Sequence, residues 1–147
     1  MLLLAAVSGC ERRAPPDPRV QVSRALTGML VYPRSQPVSM AAGDQAAQLT
    51  MTTTDSLSKV ADWFRQVFQL NHWTLESDVA NPDGSVSIMA TKDDRPIWLS
   101  LHRNAGAEGT TYTLIGAIPA DSAAVAESLA RAKTRPPVPA RKPGQVR

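Results

Sequence analysis

The side chains able to act as nucleophile, acid, base or metal ligand are few in this chain and scattered along it. The only thiol is Cys10, and the only imidazoles are His72 and His102. The one adjacent pair of carboxylates is Asp93 and Asp94, in Lys-Asp-Asp-Arg, with Asp83 in Asn-Pro-Asp-Gly before it. A protein metal centre needs three or four ligands brought together, commonly at short spacings. Neither histidine has an acidic cluster at such a spacing. Carboxylates in turn sequences satisfy local amides, and no third group stands by to orient an attacking water. There is no phosphate-cradling glycine run and no Ser-x-x-Lys arrangement. The residues therefore predict no catalytic site, no cofactor-binding site, no metal site and no enzyme. A small hydrolase would require His72 or His102 beside Asp93 or Asp94 in one cleft.

Cys10 suggests a different chemistry. The run MLLLAAVSGC passes from apolar residues to small ones and then to the thiol. It resembles the lipobox of bacterial lipoproteins, with Val7 three positions before the cysteine and Ser8 and Gly9 between them. That resemblance implies cleavage before Cys10, a diacylglycerol thioether on its sulfur, and acylation of the new amine. It makes residues 1–9 a signal peptide. The apolar core, Leu2 to Val7, is shorter than the roughly 7 to 15 residues of a secretory signal and lacks a basic start. A start codon placed too late would account for both, with the true signal partly upstream. Several acyl chains make such an anchor durable where one holds only reversibly. Glu11 follows Cys10 where an Asp would imply retention in the inner membrane. The resemblance thus places the protein in the cell envelope, lipid-anchored to the outer membrane and facing the periplasm.

The 147 residues suffice for one modest core once the Pro-rich ends are set aside. With one cysteine no intramolecular disulfide can form, so packing must supply the stability. The net charge is only +3, and the basic excess lies at the ends, in Arg12, Arg13, Arg19 and Arg24 and again in Arg131, Lys133, Arg135, Arg141, Lys142 and Arg147. These charges read as solvated linkers. No aromatic residues interleave with them, which argues against nucleic acid as a partner. Residues 10–28 read as a Pro/Arg-rich tether, 29–132 as a single domain, and 133–147 as a disordered Pro-rich basic tail.

Within the domain, residues 48–54 alternate with period two, placing Leu49 and Met51 on one face, and Val38 to Met40 can pair with them across Ala42-Gly43-Asp44. The clearest element is a helix over 56–70. Leu57, Val60, Ala61, Phe64, Val67 and Phe68 recur at three and four and form one apolar stripe, with Asp55 or Thr54 as cap and Trp63 at its margin. Strands follow over 72–79, 85–91, 96–102 and 110–117, joined by Asn81-Pro82-Asp83-Gly84, Lys92-Asp93-Asp94-Arg95 and a loose loop at 104–109. The first would set Trp73, Leu75, Ser77 and Val79 on one face. The expected fold class is α+β: a single antiparallel sheet of four to five strands, one main helix packed on one face, and a short C-terminal helix from Asp121 or Ser122 to Ala132.

This succession is similar to small α+β modules of poorly characterised bacterial secreted proteins and lipoproteins. Such modules read Tyr-Pro-Gly-Ala where this chain has Tyr32-Pro33-Arg34-Ser35, and Gly-Trp where it has His72-Trp73. The resemblance spans residues 30–117 and implies an envelope domain without implying an activity.

If Ile97, Leu99 and Leu101 face the helix, Trp98 faces away, with Met89 and either Ile115 or Tyr112 beside it according to register. The second helix or residues 26–32 would cover this patch; otherwise Met89, Trp98, Tyr112 and Ile115 form a candidate partner surface. The sequence thus predicts a non-enzymatic binding or scaffold domain, held to membrane lipid through Cys10 and engaging an envelope protein. The alternative is a periplasmic binder of a small apolar or amphipathic ligand, in a pocket lined by Trp63, Phe68 and Trp73.

Overall fold

The computed structural model describes residues 17–120. Cys10, the signal and lipobox residues, the expected C-terminal helix and the Pro-rich tail lie outside the described residues. The elements run α1 (Pro18–Ala25), β1 (Gln36–Ala42), β2 (Ala46–Thr53), α2 (Leu57–Leu70), β3 (Thr74–Ala80), β4 (Val86–Lys92), β5 (Arg95–Arg103) and β6 (Thr110–Ala117). The six strands form one antiparallel sheet in the order β1-β2-β6-β5-β4-β3. The α+β class stands, with six strands instead of four to five and with two helices. The sixth strand is β1, which contains the expected partner segment Val38 to Met40 and pairs with β2 through the hairpin at Gly43. Its residues are exposed throughout, as befits an edge strand whose inward alternation is weak, and it is longer than the Val38 to Met40 segment expected.

The additional helix, α1, falls within the stretch expected to be a tether. Asp17 accepts a hydrogen bond from the Arg19 amide, and Pro18 occupies the first turn. Proline is preorganised for that position, where its missing amide costs nothing, so Asp-Pro here starts a helix rather than stiffening a linker. Val22, Ala25 and the following Leu26 are buried. Gly116 makes room for them: a Cβ at that position would come within 2.4 Å of the Ala25 carbonyl oxygen.

Helix α2 buries the stripe expected of it, with Val60, Phe64 and Phe68 wholly inaccessible. It lies against Ile88, Ala90, Ile97, Leu99, Leu101, Tyr112 and Leu114 in one core cluster. Ser56, not Asp55 or Thr54, is the N-cap residue, and its side chain makes no capping bond. Asp55 is engaged elsewhere, accepting from Tyr32 Oη and Lys59 Nζ, both at 2.8 Å. At the other end the Trp73 amide donates to the Phe68 carbonyl and the His72 amide to the Gln69 carbonyl, a Schellman termination. His72 takes φ +59°, the conformation a glycine adopts freely, and Trp73 closes edge-on against Phe68 with ring centroids 6.0 Å apart.

Strand β3 departs from the simple alternation expected for 72–79. A bulge between Leu75 and Ser77 inserts Glu76, so Leu75 pairs with Ala90 and Asp78 with Ile88, while Ser77 and Val79 pair with outward-facing Met89 and Ser87. An extra residue reverses the faces beyond it. Asp78 is thereby aimed at α2, where Arg65 donates to both its oxygens, at 2.6 and 2.9 Å. A bulge and an inward charge are two devices that keep an edge strand from pairing with other chains.

Candidate functional site

Positions with chemical potential are separated by the fold. Asp93 and Asp94 take φ +51° and +57° in the two-residue turn between β4 and β5, as a type I′ hairpin requires. His72 ends α2. Asp83 accepts from both the amide and the hydroxyl of Ser85, at 2.9 and 2.6 Å, which holds its carboxyl below the usual range. His102 lies on β5, with Nε2 2.8 Å from the Ser100 hydroxyl on the open sheet surface. Among the described residues no group of three or more His, Cys, Asp and Glu could hold a metal ion. None of their helices is long and apolar enough to cross a membrane.

The side chains expected to line a ligand pocket are linked in one chain of ring contacts through Phe64. Trp63 stands edge-on to Tyr32 at 5.3 Å and to Phe64 at 4.9 Å, and Phe64 continues to Tyr112 at 5.1 Å. Phe68 joins Phe64 at 6.3 Å and Trp73 at 6.0 Å. These contacts, edge-to-face except for the tilted Phe64–Phe68 pair, fill the layer between α2 and the sheet. Two clefts open at the margin of this layer. One, of about 500 Å³, lies between the first turn of α2 and the β5–β6 loop, beside Ser56, Ser58, Arg103 and Asn104. The other, of about 450 Å³, lies beside Tyr32, Lys59, Asp62 and Trp63.

The candidate partner surface divides. Met89 pairs with Trp98, and Trp98 with Ile115, so these three form one row across β4, β5 and β6 on the face turned away from both helices. Trp98 is 41% exposed there. Tyr112 does not belong to the row. It pairs with Leu101 and Met51, is fully buried, and its hydroxyl accepts from the Tyr32 amide at 3.0 Å and lies 3.0 Å from Ser35 Oγ. Burial raises its phenol pKa above the ordinary value. Strand alternation makes the reason plain: Tyr112 and Ile115 are an odd number of residues apart and must face opposite ways. Residues 26–32 do not cover the row, because Leu26 and Tyr32 are part of the core on the helix side.

The surroundings of this row are polar and were not singled out by sequence reasoning. On the same face stand Ser87, Thr91, Ser100, Thr113, Thr50 and Gln48, with Thr50 and Thr113 hydroxyls 3.1 Å apart. Their signal in the sequence is the alternate set of Thr and Ser in QLTMTT, SVSIMAT and TTYTLIG, which attends the apolar positions without a charge among them.

No curated protein and no solved structure matches the chain. A family model described as START domain-like matches residues 33–109, from the Tyr-Pro corner through β5 to the loop before β6. That stretch is slightly more than half of the chain and contains α2 with five of the six strands it faces, and on this ground the protein belongs to the START domain-like family.

Proposed function

We propose that this is a non-enzymatic binding domain, tethered in the cell envelope through a lipid on Cys10, that recognises its partner with the outer face of the sheet. The observation that carries the reading is the contrast between a filled inner layer and the outer row in which exposed Trp98 stands between half-buried Met89 and Ile115, with none of the described residues packed over it. A lone exposed apolar side chain needs no explanation, but three in register across adjacent strands form a continuous patch. Membership of the START domain-like family is compatible with a binding role. The lipid would confine the domain near its partner and raise the effective concentration of the pair. Its placement in the outer membrane, facing the periplasm, follows from Glu11 and is part of the proposal.

Site-specific photo-cross-linking tests it. A photoreactive side chain at position 98 in the full-length protein is expected to give a discrete envelope adduct, and one at Gln69, on the solvent side of α2, is not. Equal adducts from both positions would defeat the outer-face reading. Intact mass after detergent extraction, with and without globomycin, checks the acylated Cys10; an unmodified thiol would remove the anchor.

The family match favours a second reading, a small apolar or amphipathic ligand held between α2 and the sheet. Its site would grow from the cleft beside Trp63, with the Tyr32–Trp63 contact opening to admit it. Lipid extraction of the purified protein followed by mass spectrometry decides: a stoichiometric co-purified ligand supports this reading, and a ligand-free protein whose stability ignores added fatty acids rejects it.

A further inference from the structure

The outer face differs from an ordinary protein surface in its charge. Its central row runs Ser77, Met89, Trp98, Ile115, Gln48 and Ala41 from edge to edge. The next row runs Val79, Ser87, Ser100, Thr113, Thr50 and Ser39. Beyond it come His102, Thr111 and Thr52. Among the described strand residues on this face, Glu76 at the β3 bulge is the only one with a formal charge, and its carboxylate accepts from Thr91. The strand cations point the other way. Arg95 donates to the last carbonyls of α1, Lys92 donates to the Asn71 carbonyl, and Arg103 lines the cleft at the start of α2.

We infer that this face recognises a neutral polysaccharide, with the Trp98 indole stacked on a sugar ring and the hydroxyls of Ser87, Ser100 and Thr113 paired with those of the glycan. The inference rests on the outer-face reading and names its partner. An indole offers a broad apolar plane with a polar edge, which suits the C–H face of a pyranose. Ser87 Oγ accepts from Asn81, Ser100 Oγ pairs with His102 Nε2 and Thr113 Oγ1 with Thr50 Oγ1; because a serine or threonine hydroxyl both donates and accepts, each keeps capacity for a polyol whose own hydroxyls do the same. The lack of formal charge among the described residues of this face, Glu76 apart, is the complementarity that favours a neutral partner over an anionic one. An anionic bilayer or acidic polymer would draw Lys and Arg onto the face, whereas a neutral glycan needs none. Neighbouring strands lie about 4.8 Å apart, so a glycan crossing the sheet obliquely from Trp98 would pass Ile115 and Thr113 on β6 and then reach Gln48 and Thr50 on β2.

The test is a two-dimensional amide NMR titration of the full-length protein with chitotetraose and cellotetraose, with oligogalacturonate and phosphatidylglycerol vesicles as charged counterparts. A neutral oligosaccharide is expected to shift the Trp98 indole N–H and the amides of Gln48, Ser100 and Thr113, and to leave the Trp73 indole unmoved. Trp98→Ala should weaken binding about tenfold or more, the loss of roughly one good contact, while Trp98→Tyr retains most of it and shows that the plane matters. Both variants are checked for unchanged melting temperature to within a few degrees. No shift with either neutral oligosaccharide, or shifts that survive Trp98→Ala, overturns the inference. If the sugars fail while cross-linking from position 98 still yields an identified envelope protein or a dimer of this chain, the outer-face reading stands and the glycan falls. If position 98 gives neither, both fall.

Discussion

Trp98 and Leu99 are neighbours in sequence and belong to different environments. Leu99 is 1% exposed and packed among Ile88, Leu114 and Phe64, whereas Trp98 is 41% exposed in a row with Met89 and Ile115. The same alternation runs along β2, β4, β5 and β6, so the sheet separates an apolar layer that holds the fold from a hydroxyl-lined layer that contributes little to it. Large hydrophobic residues on the second layer are therefore available for a purpose other than folding. The sharpest way to break this comparison is to truncate both neighbours. Leu99→Ala should cost about 2 to 5 kcal/mol, the range for buried leucine. Trp98→Ala should cost about 1 kcal/mol, as befits a partly exposed side chain held by its cross-strand neighbours alone. Urea denaturation of the two variants measures the difference; comparable losses would mean that the outer row is covered and structural.

Close approach on the inner face gives the next effect. Gly116 sits where a methyl group would meet the Ala25 carbonyl oxygen at 2.4 Å and the Leu26 side chain at 3.0 Å. The obstacle is largely backbone, so Gly116→Ala is expected to cost about 1 to 3 kcal/mol by forcing α1 away from β6. Ala117→Ser, one residue later and on the opposite face, should fall within about 0.5 kcal/mol of wild type. Hydrogen exchange adds a local readout: in Gly116→Ala the amides of α1 should lose protection before those of α2.

How far the two faces can be read from sequence depends on whether the alternation is interrupted. It is uninterrupted in β4, β5 and β6, and the inward set Val86, Ile88, Ala90, Ile97, Leu99 and Leu101 follows directly from it. Helix α2 is equally legible from its stripe. In β3 a bulge intervenes, and nothing in TLESDVA announces it, so Val79 is expected inside and Asp78 takes that side instead. Tyr112 is a different case: alternation sets it opposite Ile115, but an aromatic hydroxyl suits either face, and its pairing with Leu101 and its bond from the Tyr32 amide decide that it is the one within. The hydroxyl character of the outer layer is legible position by position, yet it becomes a surface only once the strand order brings β2 beside β6.

Asp78 supplies a pH-dependent handle on the β3 edge. Its carboxyl is held below the ordinary value, chiefly by the hydrogen bonds from Arg65, against a smaller opposing effect of burial. Asp55 is lowered in the same direction by Lys59 and Tyr32. A carboxylate whose folded pKa lies below its unfolded value of about 3.9 contributes stability that is complete above that value and lost as pH falls through the folded one. Stability should therefore be flat near neutrality and decline below about pH 4. The Arg65–Asp78 pair is partly exposed and screened, so Asp78→Asn should cost about 1 kcal/mol or less at pH 7 and shrink the acid-induced decline. A variant whose acid curve overlays that of wild type would show that the pair does not secure the edge.

The smallest effect is a gain, and it concerns the two corners that anchor α2 and the Tyr-Pro segment to the inner layer. Arg34 and His72 both take φ +59°, at the positions where similar modules carry glycine. A side chain with a Cβ pays roughly 1 to 2 kcal/mol for that conformation. Glycine avoids the cost but loses more backbone freedom on folding, about 0.5 to 1 kcal/mol. The balance favours glycine, so His72→Gly and Arg34→Gly should each stabilise by about 0.5 kcal/mol. His72 is exposed and its ring makes none of the contacts that terminate α2, which use its backbone amide and the Trp73 ring. Additivity in the double variant would follow from their separate locations. Stabilisation with unchanged position-98 cross-linking would show that these corners serve the inner layer alone, whereas lost cross-linking in His72→Gly would tie the outer surface to the end of α2 and dissolve the division between the two faces.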